Sequence, residues 1–168
     1  MPPKIYIDGQ AGTTALRIRD WLAERKDLEV VTLPEELRKD PAVRKKALHN
    51  AAIVLLCLPD DASREAAEWL ADSPVRILDA STAHRVAQGW TYGLPELVSG
   101  QRERIAKSQR VANPGCYASA VILLVRPLVD AGLLSPETPL AIHAISGYSG
   151  GGRSMIERWE DPQRGLLK

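Results

Sequence analysis

The chain has no long block of one charge, no apolar run long enough for a bilayer and no framework of cysteines. Each absence narrows what it can be. Its 22 Lys and Arg stand against 21 Asp and Glu, a formal net charge of +1. The two signs are interspersed, which argues against nucleic acid or another strongly charged partner. The densest basic stretch, "RKDPAVRKK" at 38–46, includes an Asp and reads as a solvated helical face. The longest apolar runs, "AAIVLLCLP" and "ASAVILLV", fall short of the ~20 residues a membrane helix needs, so no membrane association is expected. No basic segment leading into an apolar stretch opens the chain, and no signal peptide is visible. Two cysteines, Cys57 and Cys116, stand far apart. They do not suggest a disulfide scaffold, and a reducing, cytoplasmic setting fits them best. There is no internal repeat and no low-complexity segment.

What is present is alternation. With 168 residues, 45% of them apolar, there is room for one ordinary domain with a core, or for one domain and a piece of another. "KIYID" (4–8) predicts a strand ending at Gly9. "GTTALRIRDWLAERK" predicts a helix with Ala15, Ile18, Trp21 and Leu22 on one face. "LEVVTL" (28–33) is the next strand, closed by Pro34, and a short helix follows over 42–49. "AIVLLCL" (52–58) has the character of a central strand buried on both faces. Then come a helix (61–72), the strand "VRILDA" (75–80), a polar helix (100–109) and the short strand "RVAN" (110–113). That order predicts a parallel α/β sheet. Beyond it, "YASAVILLVRPLVDAG" (117–132) reads as an apolar helix, with Pro127 as a kink and Gly132 as a stop. "PLAIHAISGYSGGG" (139–152) reads as a strand running into a glycine-rich turn, and "RSMIERW" opens another helix.

Two turns carry chemistry. "IDGQAGTTA" places Gly9, Gly12 and Ala15 between the first strand and first helix, with Thr13 and Thr14 at the helix start. Glycine lets the backbone turn sharply and approach a pyrophosphate, to which the helix N-terminus offers free N–H groups. A plain strand–helix turn is the other reading. An NAD site usually ends its second strand with Asp or Glu, to hold the ribose hydroxyls. Here that strand ends Thr32-Leu33-Pro34, with Arg38 and Lys39 nearby. A cation there suits the 2′-phosphate of NADP, while a solvated basic turn remains the alternative.

The second turn is "NPGCYAS" (113–119), where Cys116 follows a strand end and a Pro-Gly turn and precedes a helix. The positive end of a helix favours a thiolate, and the same free N–H groups stabilise an oxyanion beside the sulfur. A free cysteine is more often a buried small apolar residue. Cys57, between Leu56 and Leu58 with no turn in its run, fits that description, whereas the turn around Cys116 favours a nucleophile.

"NPGCYAS" resembles the active-site cysteine motif of the N-acetyl-gamma-glutamyl-phosphate reductases, relatives of the aspartate-semialdehyde dehydrogenases. "DGQAGTTALRI", "LCLPDDAS", "DASTAHRV", "YGLPEL" and "ISGYSGGGR" resemble that family's segments in the same order across almost the whole chain, with the short form closest. The resemblance implies a Rossmann-like parallel sheet with helices on both faces, at 1–114, followed by the start of a second α+β catalytic and dimerisation domain, at 115–168. It implies NADPH-dependent reduction of N-acetyl-gamma-glutamyl phosphate to N-acetylglutamate semialdehyde, with phosphate release through a Cys116 thioester, in arginine biosynthesis, by a homo-oligomer.

Supporting residues are read beside it. The fork of Arg85 suits a substrate carboxylate or phosphate, or it is a surface arginine. Ser81 lies past the fourth strand, where ligands of open α/β sheets gather, and counts with Gly150 as a cofactor contact. Ser146 and Gly147, in a glycine- and hydroxyl-rich stretch, offer an anion nest to the substrate, or a flexible turn. Asn113 is a further substrate contact or simply a strand end. Glu96 caps or orients. The family's acid–base histidine belongs to a segment later than residue 168, and none of His49, His84 and His143 matches its motif; His143 reads as a core or interface residue. The expectation is therefore an incomplete second domain, exposed apolar surface, poor dinucleotide binding and little turnover by the isolated chain. Competing readings are a sister semialdehyde dehydrogenase acting on another acyl phosphate, and a non-catalytic dinucleotide-binding module.

Overall fold

The computed structural model describes residues 1–10, 13–145 and 147–161. Along the chain run β1 (Lys4–Asp8), α1 (Thr13–Ala23), β2 (Glu29–Val31), α2 (Pro41–His49), β3 (Ile53–Leu56), α3 (Asp60–Trp69), β4 (Arg76–Asp79), β5 (Thr91–Tyr92), α4 (Gln101–Lys107), β6 (Arg110–Ala112), α5 (Cys116–Asp130) and α6 (Gly152–Glu160). The strands form one six-stranded sheet in the order β2-β1-β3-β4-β6-β5, all neighbours parallel.

Period-two alternation sends side chains of the central strands to opposite faces. Tyr6, Val54, Leu56 and Ile77 pack with Leu48 of α2 and Ala66 of α3 on one face, while Ile5, Ile7 and Leu55 pack with Ala15 of α1 on the other. Asp40 sets the start of α2, its carboxylate accepting from the Ala42 and Val43 N–H groups at 2.8 and 3.1 Å, an N-cap followed by Pro41. Because β1 lies between β2 and β3, the chain reverses direction across the sheet after β2. The crevice that opens at such a reversal, beyond the carboxyl ends of β1 and β3, is where open α/β sheets bind ligands.

Two expectations are corrected, and one strand was not anticipated. No strand forms within 139–145; these residues are exposed and irregular. An apolar pattern alone satisfies no backbone group, and this segment pairs with neither edge strand, β2 or β5. Strand β5 itself is two residues long and carries no readable pattern; it joins the edge by pairing with β6, Tyr92 opposite Ala112. Trp21 is 67% exposed rather than on the buried face of α1. At 3.6 residues per turn it stands roughly 90° round from the centre of the Ala15, Ile18 and Leu22 stripe, where the Arg17 guanidinium covers its ring at 5.7 Å. Helix α5 runs through Pro127 and ends ahead of Gly132, whose φ is +69°. It buries no residue, and Leu123, Leu124 and Leu128 stand exposed.

Candidate active site

At the exit of β1 the backbone turns at Gly9 with φ +87°, and a Cβ there would fall on the Cys57 carbonyl. The Cys57 N–H donates to the Asp8 carbonyl at 2.8 Å, holding the two strand exits together. Gln10 clamps the turn to the end of β2. Its amide donates to the Leu33 carbonyl at 2.6 Å and accepts from the Leu33 N–H at 2.9 Å. A cavity of about 270 Å³ opens here, lined by Asp8, Gly9, Gln10, Arg38, Lys39 and Arg44 among others.

Asp8 and Arg44 are both buried and form a two-point pair, Nε to Oδ1 at 3.2 Å and Nη2 to Oδ2 at 2.8 Å. Burial works against the Arg44 charge, but the hydrogen bonds and charge of Asp8 outweigh it and hold the guanidinium above its ordinary pKa. Trp69 lies against the same guanidinium at 5.0 Å. The expected solvated face over 38–46 is thus corrected at Arg44, which reaches a carboxylate 36 positions away. With Asp8 neutralised, Arg38 and Lys39 give the cavity a cationic rim, although Arg38 also meets Glu35 at 2.5 Å. A glycine turn, a helix start and uncompensated lysine suit the anionic, phosphate-bearing part of a dinucleotide. Ala15 is fully buried, so it serves by letting α1 approach the sheet rather than by touching a ligand. Gly12 and Ser146, with the side chains of Thr13 and Thr14, lie outside the described residues.

A second group gathers beyond β4 and β6. Asp79, wholly buried at the end of β4, accepts hydrogen bonds from Ser63 Oγ at 2.7 Å, the Ser81 N–H at 2.9 Å and Ser81 Oγ at 2.7 Å. His84 Nδ1 lies 2.6 Å from its Oδ2, and the His84 ring stacks on Trp90 at 3.9 Å. The Asp79 carbonyl takes the Asn113 N–H at 2.7 Å. Arg85 crosses to the other strand exit: its Nε donates to the Asn113 carbonyl at 3.1 Å, and Nη1 would stand 2.6 Å from a Cβ at Gly115. One residue on, Cys116 is exposed and opens α5, among N–H groups with no helical acceptor.

The structure therefore brings Arg85, Asn113 and Cys116 to one turn, with Ser81 fixed on Asp79 beside it. Gly147 and Gly150 fall elsewhere in the chain's order, in an exposed turn where the Gly150 N–H donates to the Gly147 carbonyl at 2.9 Å. Cys57 lies just past the end of β3 rather than within a strand; burial, then the charges of Asp79 and Asp8, push its thiol up to about 11. Sequence reasoning missed Asp79 and His84 as a buried pair and Arg44 as a partner of Asp8. Only the "DAS" and "HR" spacing of the segment after β4 hinted at the first, and nothing local at the second. His49 bonds the Lys45 carbonyl on α2. His143 is exposed, so of its two readings, core or interface, the core one is corrected.

Comparison with known proteins bears on this arrangement. Residues 10–108 match the profile of the semialdehyde dehydrogenase NAD binding domain, and residues 116–165 that of the semialdehyde dehydrogenase dimerisation domain. The chain belongs to the semialdehyde dehydrogenase family. It is 57% identical over 160 residues to N-acetyl-gamma-glutamyl-phosphate reductase 2 of Pseudomonas putida, covering 95% of this chain and 51% of that protein. It is 56% identical over 162 residues to N-acetyl-gamma-glutamyl-phosphate reductase of Brucella anthropi, covering 96% and 52%. The chain thus spans about half the length of the curated relatives it matches. Among solved structures, aspartate semialdehyde dehydrogenase II of Vibrio cholerae superposes with a TM-score of 0.68 over 94% of this chain and 50% of that one. At 16% identity this shows the fold. Among the described residues no helix is long and apolar enough to cross a membrane.

Proposed function

We propose that this chain supplies the cofactor site and the nucleophile of an NADPH-dependent N-acetyl-γ-glutamyl-phosphate reductase. The observation that carries the reading is Arg85 lying across the turn that immediately precedes an exposed cysteine at a helix start. The relatives' names supply the substrate. Arg85, with Asn113 beside it and Ser146 and Gly147 from the glycine-rich stretch of sequence that follows, holds the phosphoryl and carboxylate groups. The Cys116 thiolate adds to the acyl carbonyl, the carbon–oxygen bond to phosphate breaks with its electron pair, and a thioester remains. The chemistry the bound nicotinamide supplies is a hydride to the thioester carbon. The resulting oxyanion, facing the first N–H groups of α5, collapses with cleavage of the carbon–sulfur bond. Aldehyde leaves and the Cys116 thiolate returns.

The switch-point cavity takes the dinucleotide through Gly9, Gly12, Thr13 and Thr14, with Ala15 fixing the helix behind them. In this reading Arg38 holds the 2′-phosphate, and Ser81 and Gly150 contact the nicotinamide. Residues 1–114 form the cofactor domain, and 115–168 belong to the catalytic and dimerisation domain. The apolar, uncovered α5 and the match to a dimerisation profile support self-association, in the cytoplasm.

The test is acylation. Mixing the chain with N-acetyl-γ-glutamyl phosphate should release phosphate in a burst of up to one equivalent, with a matching acyl adduct in the intact mass. Cys116→Ser should show neither. Equal acylation by aspartyl phosphate would favour the sister-dehydrogenase reading, and no adduct with either would refute the nucleophile.

A further inference from the structure

We infer that Asp79 is a positioning residue for the anion site, acting through the Nδ1–H of His84 to hold Arg85 beside Cys116. The inference rests on the reading of Arg85 and Cys116 given above.

Asp79 touches no solvent and lines none of the crevice at the first strand exit, yet four donors converge on its two oxygens. A carboxylate offers only acceptors, about four lone-pair sites, and here each is used. Two of the donors come from Ser81 and one from His84, so the segment leaving β4 is wrapped round the carboxylate. The fourth comes from Ser63 of α3, which ties the arrangement to the helix layer. The same residue's carbonyl holds the Asn113 N–H, so Asp79 also fixes the strand exit against which Arg85 lies.

Since Asp79 can only accept, Nδ1 of His84 carries the hydrogen between them. That bond and the stack on Trp90 set the ring. Arg85 is the next residue along the chain. Its guanidinium touches the 113–115 turn at the Asn113 carbonyl and beside Gly115. Anchoring by the preceding backbone is what keeps a long side chain, otherwise rich in rotamers, over that turn. Arg85 keeps a half-exposed side, from which its charge also acts on Asp60, and that side is where a doubly charged phosphate would come.

The test compares two alkylating agents of like reactivity and unlike charge. Rates at Cys116 are read by peptide mapping with iodoacetate and with iodoacetamide, and the ratio is set against that of a small free thiol. A guanidinium beside the sulfur should favour iodoacetate in the unmodified chain about threefold or more, the Coulomb effect of one cation several ångströms away in water. Arg85→Ala gives the floor. Asp79→Asn, whose amide turns a donor toward donors, and His84→Ala, which removes the bond, should both fall to that floor. His84→Asn places an N–H where Nδ1 stood and should keep most of the preference. Both His84 variants lose the stack on Trp90, so a packing role alone would leave them alike, and that result would overturn the proposal. Retention of the preference in His84→Ala would overturn it too, even should Asp79→Asn fail to fold. No preference in the unmodified chain, and no effect of Arg85→Ala, would remove the anion site itself and the proposed function's substrate contact with it.

Discussion

Replacing Arg44 by alanine would leave Asp8 as an unpaired carboxylate in the wall of the sheet. The side chains of Arg44 and Asp8 are 11% and 3% exposed, so little solvent can enter to compensate. The pair makes two hydrogen bonds, at 3.2 and 2.8 Å, and Arg44 adds the Trp69 face and a 3.7 Å approach to Glu65. Removing one partner of a buried ion pair costs about 3–5 kcal/mol, most of it the penalty on the charge left behind. The urea midpoint should therefore drop by about 2 M, taking ~2 kcal/mol per molar for a domain of this size. The double variant Asp8→Asn with Arg44→Met removes both charges and should recover more than half of the loss, since burying an ion pair is itself costly. The measurement is urea unfolding of the unmodified chain, Arg44→Ala and the double variant, followed by far-UV circular dichroism. A loss under about 1 kcal/mol for Arg44→Ala, the range of an exposed ion pair, would refute the reasoning. So would a double variant less stable than the single.

Alkali should weaken the fold through Cys57. Burial pushes its thiol up from the ordinary value of 9.0 to about 11, so the folded state resists losing the proton. That contribution is whole below pH 9 and is lost as pH rises to 11, up to about 2–3 kcal/mol at 1.36 kcal/mol per unit. Cys57→Ala should flatten the decline in urea midpoints over that window, and an unchanged slope counts against the assignment. Gly9→Ala meets both a positive φ and the Cys57 carbonyl. A loss of about 2 kcal/mol or more is expected, as for other residues strained in this region, and the variant should bind NADPH more weakly by fluorescence titration. A stable variant with intact binding would show that the turn relaxes freely.

The parallel sheet was legible because its cues are local. Apolar strand runs, glycine or proline at their exits and amphipathic helices between them each span about ten residues. Lys4–Asp8, Pro41–His49 and Ile53–Leu56 accordingly form where the pattern places them, within a residue or two. The turns at Gly9 and at 113–115 were legible for the same reason, since a strand exit before a helix start is written in neighbouring residues. The run over 139–145 shows the limit of such cues. The stretch is as apolar as a true strand, but pairing is a property of the neighbour.

What the sequence by itself determined is the element order, the class of sheet and the two turns that present a glycine and a cysteine. The tertiary structure alone decided which side chains stand behind those turns. Asp8 meets Arg44 across 36 positions, Arg85 meets Asn113 across 28, and Asp79 draws together Ser63, Ser81 and His84. None of these pairings follows from propensity or period. Each exists because the strand order β2-β1-β3-β4-β6-β5 brings distant strand exits side by side, where a buried carboxylate must find its donors.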